Sequence, residues 1–488
     1  MSNEREILDY PSYHGRKIIY TPIKKVTRDN VCDVLSSAFS IHQFNSSQIM
    51  FLYNYYRGIQ PIKDREKEVR PEIQNNIVEN TAYEIVSFKS SYLLGEPCTY
   101  TRRGNREEEN TDVDALQELN DYMFILDKSN KDKMLSDWLH ICGIGFRMVL
   151  PTNDEDFEQD SPFQMEVLHP AYTFCVYNSG YGHRKLMGVT YTRDENDSIV
   201  FTVYTPDAVY KVVNGVLREP PKPNPLGMIP IIEYRANTPL LGAFEPVLPL
   251  LDALNTLQSN RVDDVEQIVQ AFLKFTNCEV NDEIITFMQE NKVLMLPKDA
   301  DCNYVTAPLD QQQTQTLVDY TYSRILTICG MPATQNGGAS TSDTGQAVML
   351  RDGWRQAEAN ASDTEGFFKS AEKEMLKLVI KILRDTVGTS LSREDIEIKF
   401  TRRQYEASLQ KAEVLNLMLQ LGISPKVAFP RSGLFYDPAD ALEQSKELIE
   451  KKWGINSVEE GNQMSELQQE TSGSREGQGN TDNQVSEM

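Results

Sequence analysis

Cysteine, histidine and basic charge are all scarce in this chain, and each shortage removes a class of function. Seven cysteines (32, 98, 142, 175, 278, 302 and 329) are scattered over 488 residues with no Cys-x-x-Cys pair. They read as reduced thiols packed as small hydrophobes, in a cytoplasmic setting. Five histidines (14, 42, 140, 169 and 183) show no His-Glu-x-x-His or related ligand spacing. His140 with Cys142 has the look of an ordinary core pair, not a zinc site. No Gly-x-Ser-x-Gly elbow is present, and Asp263-Asp264 falls on an expected helix surface, where solvation accounts for both acids. No run of about 18 apolar residues exists, so no membrane span is expected. The opening Met-Ser-Asn-Glu-Arg-Glu lacks the basic and apolar regions of a signal peptide, so secretion by that route is not expected either.

Basic residues number 49 against 72 acidic ones, a net charge of −23. Grip on nucleic acid over a broad surface comes from Lys and Arg on phosphates, and this balance argues against it. It leaves room for a protein that lets DNA pass without sticking. Exposed charges more than roughly 8 Å apart are screened at physiological salt, so only the lining of a site counts. Nothing in these patterns specifies an enzyme, a cofactor or a bound metal.

What is present is length and periodicity. With 40% hydrophobic residues the chain can build real cores, and its length suits two to four domains. The most explicit stretch runs from Asp310 to Arg384. Asp310 with Gln313 is a capping-box start, Val318, Tyr322, Ile325 and Cys329 form one helical stripe, and Gly330 with Pro332 supplies a stop. Gln335-Asn336-Gly337-Gly338-Ala339-Ser340-Thr341-Ser342 has no large apolar side chain to bury, so it projects into solvent or toward a ligand. It lacks the Gly-x-x-x-x-Gly-Lys-Ser/Thr pattern and follows no strand, which argues against a nucleotide site. Asp343 with Gln346 caps the next start. From Leu350 the small or apolar positions Trp354, Ala357, Ala361, Thr364, Phe368, Ala371, Met375, Leu378 and Ile382 predict one long packed helix.

The rest of the chain sorts by period. Helices are predicted near Asp29 to Ser40, from Ser46 to Tyr56, after Asn76-Ile77-Val78-Glu79-Asn80, around Val113 to Leu126 and from Lys133 to Ile141. Glu107 to Asp114 reads as a solvated acidic loop. Cys98 to Arg102 and Phe146 to Leu150 are strand candidates. Residues 151 to 235 are β-rich runs that suggest one antiparallel sheet of hairpins, with Asn214-Gly215 a strong turn signal and Pro220 to Pro225 a stiff connector. Glu245-Pro246 opens a helix whose stripe of Val247, Leu250, Leu254 and Leu257 slips near Arg261 and resumes at Val262, Val265, Val269 and Phe272. A small insert at 276 to 308 has strand candidates at Lys292 to Leu296 and Asn303 to Thr306. A strand at Ile396 to Arg402 and helices at Glu406 to Leu421 and Pro438 to Lys452 follow. The tail from Ser457 has no aromatic residue and too little apolar surface to offset its ordering entropy.

Several of these stretches, in their order, resemble the portal proteins of tailed bacteriophages, in the branch found in long-tailed phages of Gram-positive hosts. They are Tyr55-Tyr56-Arg57-Gly58, the Asn76 to Asn80 run, Tyr92-Leu93-Leu94-Gly95-Glu96-Pro97, Ile229-Pro230-Ile231-Ile232-Glu233-Tyr234, and the succession helix, small insert, helix, glycine-rich loop, long helix. The resemblance implies an α+β, multidomain portal fold. In it, 1–240 form an arm and most of the wing, 241–270 the first stem helix, 271–309 the clip and 310–330 the second stem helix. Residues 331–344 become the tunnel loop, 345–403 the long wing helix and a strand, 404–456 a helical crown and 457–488 an acidic tail expected to be disordered.

It further implies a ring of about twelve copies at one capsid vertex, through which double-stranded DNA is packaged and ejected. Implied partners are the terminase large subunit, which would be the ATPase, the major capsid and scaffolding proteins, and head-completion or adaptor proteins, with no membrane. Gln335, Asn336, Gly337, Gly338, Ser340 and Thr341 would line the tunnel with weak, exchangeable hydrogen bonds that let DNA slide. Lys274, Lys292, Lys298 and Arg351 are the basic residues nearest the proposed path, and a solvated outer surface is the plainer account of each. Two rival functions are a connector or scaffold ring that never contacts DNA, and a metal-dependent hydrolase using acids such as Asp263 and Asp264.

Overall fold

The computed structural model describes residues 15–68, 70–103, 110–152, 161–269, 272–277, 286, 300–305, 311–332, 353–402, 407–435 and 438–453. The chain divides into two compact units, 1–403 and 404–488. Helices and several small sheets are mixed in the first unit, and the second is helical, so the fold is α+β.

The first unit opens with β1 (Ile19–Thr21) and a 26-residue helix, α1 (Val31–Tyr56). Two helices were expected over this span and there is one. The polar residues at its middle do not interrupt it, because distant groups satisfy them. His42 Nε2 donates to the Ala171 carbonyl at 3.0 Å while the ring stacks on Phe174, and Asn45 exchanges hydrogen bonds with the Lys17 backbone at 2.9 and 2.8 Å. Next come α2 (Thr81–Leu93), β2 (Thr99–Arg102), α3 (Asn110–Ile125) and α4 (Lys128–Cys142). The acidic run read as a loop is therefore helical from Asn110 on, and the first turn of a helix is where its positive end favours acids.

The β-rich region forms two sheets where one was expected. β3 (Ile144–Pro151) and β4 (Phe163–Leu168) pair with β11 (Ile231–Arg235) in the order β11-β3-β4, all antiparallel. The predicted meander is confined to β5 (Thr173–Asn178), β6 (Lys185–Arg193), β7 (Ile199–Tyr204) and β8 (Ala208–Val213). β1 joins β5 in parallel, and β9 (Val216–Leu217) folds back on β8 through Asn214 and Gly215, both at positive φ as a type I′ turn requires. The expected connector contributes β10 (Lys222–Pro223) to the edge of β8, a place where proline is tolerated.

After β11 the chain turns into α5 (Leu248–Val269), crosses β12 (Phe272–Thr276) and β13 (Asp301–Val305), and returns in α6 (Gln311–Cys329). The 33-residue α7 (Trp354–Thr386) and β14 (Ile396–Lys399), which pairs with β2, complete the unit. Phe368, Ala371, Met375, Leu378 and Ile382 of α7 are buried as the stripe predicted, against side chains of α3, β2, β4 and β11. Each large side chain so buried is worth about 1.5–3 kcal/mol. The second unit is α8 (Ala407–Gln420), α9 (Pro425–Ser432) and α10 (Pro438–Trp453); α9 was not anticipated.

Candidate functional site

Within the first unit, α5 and α6 pack together through Leu248, Leu251 and Leu254 on one side and Val318, Ile325 and Leu326 on the other. Val318, Ile325 and Cys329 are buried and Tyr322 is half-buried, as the sequence stripe required. The Tyr322 hydroxyl donates to Glu84 Oε1 at 2.7 Å, tying α6 to α2. Between the two helices the β12–β13 hairpin holds Lys274 opposite Asn303, with the lysine exposed.

The outer half of α5 departs from expectation. The apolar stripe was expected to slip near Arg261 and resume at Val262 and Val265, so that the helix bends or faces another neighbour, yet both are exposed, and the buried positions are Asn255, Ser259 and Asp263, four residues apart. They act as rungs for the segment running from Gln60 to Glu79. Asn255 Oδ1 accepts from the Glu79 amide at 2.8 Å and Ser259 Oγ from the Ile77 amide at 3.0 Å. Asp263 Oδ1 accepts from the Asn75 amide at 2.8 Å, and its Oδ2 lies 2.9 Å from Lys67 Nζ and 3.6 Å from Arg65. Burial pushes the Asp263 carboxyl up, but donation from Lys67 and Asn75 outweighs it and holds the group below its ordinary value. Asp263 is thus a structural anchor and not a solvated surface acid, while Asp264 is exposed. A signal was present: small polar residues at four-residue spacing where the apolar stripe slipped.

The glycine-rich segment leaves and re-enters the described structure at one point. Gly330 takes φ +65° and ends α6 as predicted, and Met331 is buried behind it. Gly353, at φ +83°, precedes α7, which is described from Trp354, since a left-handed residue cannot lie inside an α-helix; the predicted start near Leu350 lies outside the described residues. A Cβ built on Gly353 would lie 3.7 Å from the Pro332 Cα, so the two ends touch. Of the predicted site residues, Gln335, Asn336, Gly337, Gly338, Ser340, Thr341, Lys292, Lys298 and Arg351 lie outside the described residues, as do the caps at Asp310 and Asp343. Lys274 alone is placed.

Two neighbouring features were invisible to sequence reading. A cavity of about 80 Å³ lies where α2, α4, the end of α6 and the start of α7 meet, walled by Lys89, His140, Asn360 and Ala361 among others. Burial drives the His140 imidazole down to about 3, with the Lys89 charge adding to the effect. Deeper in, Lys128, Asp132, Arg147 and Glu372 form a fully buried ionic set. Glu372 lies 2.8 Å from Arg147 Nη1 and 3.2 Å from Lys128 Nζ, and accepts from the hydroxyls of Tyr234 at 2.7 Å and Tyr100 at 2.5 Å. Asp132 pairs with Arg147 and lies 2.5 Å from Lys128.

On the outside of the helix pair, Leu317, Tyr320 and Ile328 stand 49, 64 and 48% exposed on one face of α6. Among the described residues no helix is long and apolar enough to cross a membrane, and no cluster of three metal-ligating side chains occurs. The helix pair is thus strapped along one side by the segment from Gln60 to Glu79 and exposes Leu317, Tyr320 and Ile328 on another. The family of phage portal proteins, SPP1 Gp6-like, matches residues 37–452, and the chain belongs to it. No curated protein matches the chain.

Proposed function

We propose that this portal subunit assembles with copies of itself, about twelve, into a closed ring at one capsid vertex. Double-stranded DNA passes through the ring's centre in packaging and again in ejection. In this reading α5 and α6 are the stem, the β12–β13 hairpin belongs to the clip, and the segment after Met331 is the tunnel loop, with Gln335, Asn336, Gly337, Gly338, Ser340 and Thr341 nearest the DNA. The terminase large subunit docks at the clip end and supplies ATP hydrolysis, scaffolding and major capsid proteins surround the wing, and head-completion proteins bind later. The chain itself is not an enzyme.

The observation that carries the reading is the family match over most of the chain, joined to the exposed Leu317, Tyr320 and Ile328 of α6. Apolar side chains at helical spacing, exposed outside the buried stripe of a helix, mark a face that another chain covers. Exposed Lys274 fits a clip whose charge contacts are sparse. Native mass spectrometry and electron-microscope class averages test the ring: open-centred assemblies support it, and a chain that stays monomeric with its scaffolding protein present refutes it. Packaging by a chain lacking Gln335 to Thr341 tests the loop. Rings that still package DNA at the normal rate would favour a connector that DNA does not touch.

A further inference from the structure

The cavity of about 80 Å³ between α2, α4, the end of α6 and the start of α7 has three polar groups in its wall with no partner among the described residues. The first is the Lys89 ammonium, on a side chain that is half-buried. Of the acids around it, Glu358 and Glu365 on α7 pair with Arg402, Asp137 on α4 accepts from the Ser90 hydroxyl at 2.6 Å, and Asp363 is exposed. Helix-end carbonyls are taken as well. Leu139 accepts from the Gly143 amide at 2.9 Å, His140 from Ala243 at 2.7 Å and Leu326 from Met331 at 2.9 Å. Burial pulls the Lys89 ammonium below its ordinary value, and only the Cys329 thiol opposes this. A cation withdrawn from water without a partner is costly, so the cavity lacks one negative charge.

The other two groups set the chemistry of what can supply it. His140 Nδ1 lies 2.9 Å from the Ser136 carbonyl, so Nδ1 carries the proton and Nε2 is a lone pair that receives no donor among the described residues. Asn360 Oδ1 accepts from Gln356 at 3.1 Å, which turns the Nδ2 donor toward Gly330, where a Cβ would lie 2.0 Å from it. The wall therefore offers two donors, one of them cationic, and one acceptor. Chloride, sulfate and a carboxylate carry no proton at neutral pH and leave the acceptor unused. Hydrogen phosphate has charged oxygens for the donors and an O–H for the lone pair. A single water needs about 10–15 Å³ of cavity, so this one holds an ion of about five non-hydrogen atoms, the size of phosphate.

We propose that this cavity binds a protonated tetrahedral oxyanion of the hydrogen phosphate class, with Lys89 and Asn360 donating to its oxygens and its O–H donating to His140 Nε2. An ion held there ties α2 and α4 to the end of α6 and the start of α7, the two roots of the glycine-rich loop. The proposal does not depend on the ring reading.

Thermal melting of the full chain in inorganic phosphate tests this, with sulfate at matched ionic strength as the reference. Both salts strengthen apolar burial in general, and only phosphate has the donor the site asks for. At about tenfold over its half-saturating concentration, phosphate is expected to hold the Tm about 3–6 °C above the value in sulfate. Equilibrium dialysis should then count one phosphate per chain. Lys89→Met removes the uncompensated charge, so this variant should melt no lower than the parent in sulfate and show no difference between the two salts. Ala361→Glu sets a carboxylate in the cavity wall in place of the ion and should abolish the difference too, which keeps the test open if the Lys89 variant fails to fold. Equal melting of the parent in phosphate and sulfate would overturn the proposal, as would a phosphate response that survives either substitution.

Discussion

Glu372→Gln is the most informative substitution in the first unit. The buried set holds two cations, Lys128 and Arg147, and two anions, Asp132 and Glu372, so it is neutral as a whole. Glutamine keeps the size and an acceptor for the tyrosine hydroxyls but removes one anion, leaving two buried cations to share Asp132. Breaking a buried ion pair by removing one partner costs about 3–5 kcal/mol. At about 2–4 °C per kcal/mol this lowers the Tm by roughly 10 °C. Burial alone would raise the Glu372 carboxyl, but Lys128 and Arg147 bring it down to about 2. A carboxyl held below its unfolded value stabilises above pH 4.5 and loses that contribution as pH falls toward 2. The deficit of Glu372→Gln should therefore be full at pH 7 and shrink across that acid window. Calorimetry at several pH values measures it, and hydrogen exchange on α7 locates it. A Tm within 2 °C of the parent at pH 7 would refute the account, as would a deficit that does not shrink in acid. The pairing also predicts non-additivity: Arg147→Met with Glu372→Leu should cost less than the two single changes summed.

Three further outcomes are expected. Asp263→Ala strands Lys67 beside α5 and frees the Asn75 amide; a loss of about 2–3 kcal/mol is expected, and trypsin should cut faster at Arg65 and Lys67 than in the parent. His42 and His140 are held neutral by burial, at about 4 and about 3. Their unfolded forms take up protons below pH 6.5, so stability should fall as pH drops from 6.5 toward 4, by up to about 1.4 kcal/mol per unit for each, and His140→Asn should flatten the slope. Ala361→Glu would force a charge into a packed stripe if Ala361 were core, as its period predicts. Because Ala361 instead lines the cavity beside Lys89, a loss under about 1 kcal/mol is expected, and Lys89→Met in the same chain should enlarge it.

Sequence period located most helices because their buried faces are apolar, and α6 and α7 show this plainly in Val318, Ile325, Phe368 and Met375. It failed where polar residues are buried and satisfied from afar. Asn45 and His42 split α1 on paper while Lys17 and Ala171 hold it whole, and Asn255, Ser259 and Asp263 turned α5 by replacing an apolar stripe with hydrogen-bonded rungs. Arg147 and Glu372 are 225 residues apart, a separation that no local pattern reports. The two-sheet division was hidden for a related reason. β4 alternates as β7 and β8 do, and only its pairing with β3, and that of β3 with β11, separates the two sheets.

The junction between α6 and α7 predicts that the glycine-rich loop can be altered without disturbing what carries it. α6 is fixed in the core that includes α1, α2 and α5, and the start of α7 is held on α2 as well, where Trp354 packs near Phe88 and Tyr92 and the Tyr92 hydroxyl donates to Glu358 at 2.8 Å, so both ends of the loop are anchored by contacts made outside it. Those ends already meet, with the Gly353 Cβ position 3.7 Å from the Pro332 Cα. A loop that closes on itself transmits no tension when shortened. Removing Gln335 to Thr341 takes a span of about twenty residues to about thirteen, and closure entropy then changes by only about 0.4 kcal/mol, in the stabilising direction. The deletion chain should therefore melt within 1 °C of the parent and assemble to the same extent, while packaging is impaired. A large loss of stability would show that the loop is packed into the core of the first unit, and the argument from touching ends would fail with it. Gly353→Ala is the complementary change. It leaves the loop's length alone but strains a left-handed anchor by about 1 kcal/mol, so it should lower Tm where the deletion does not.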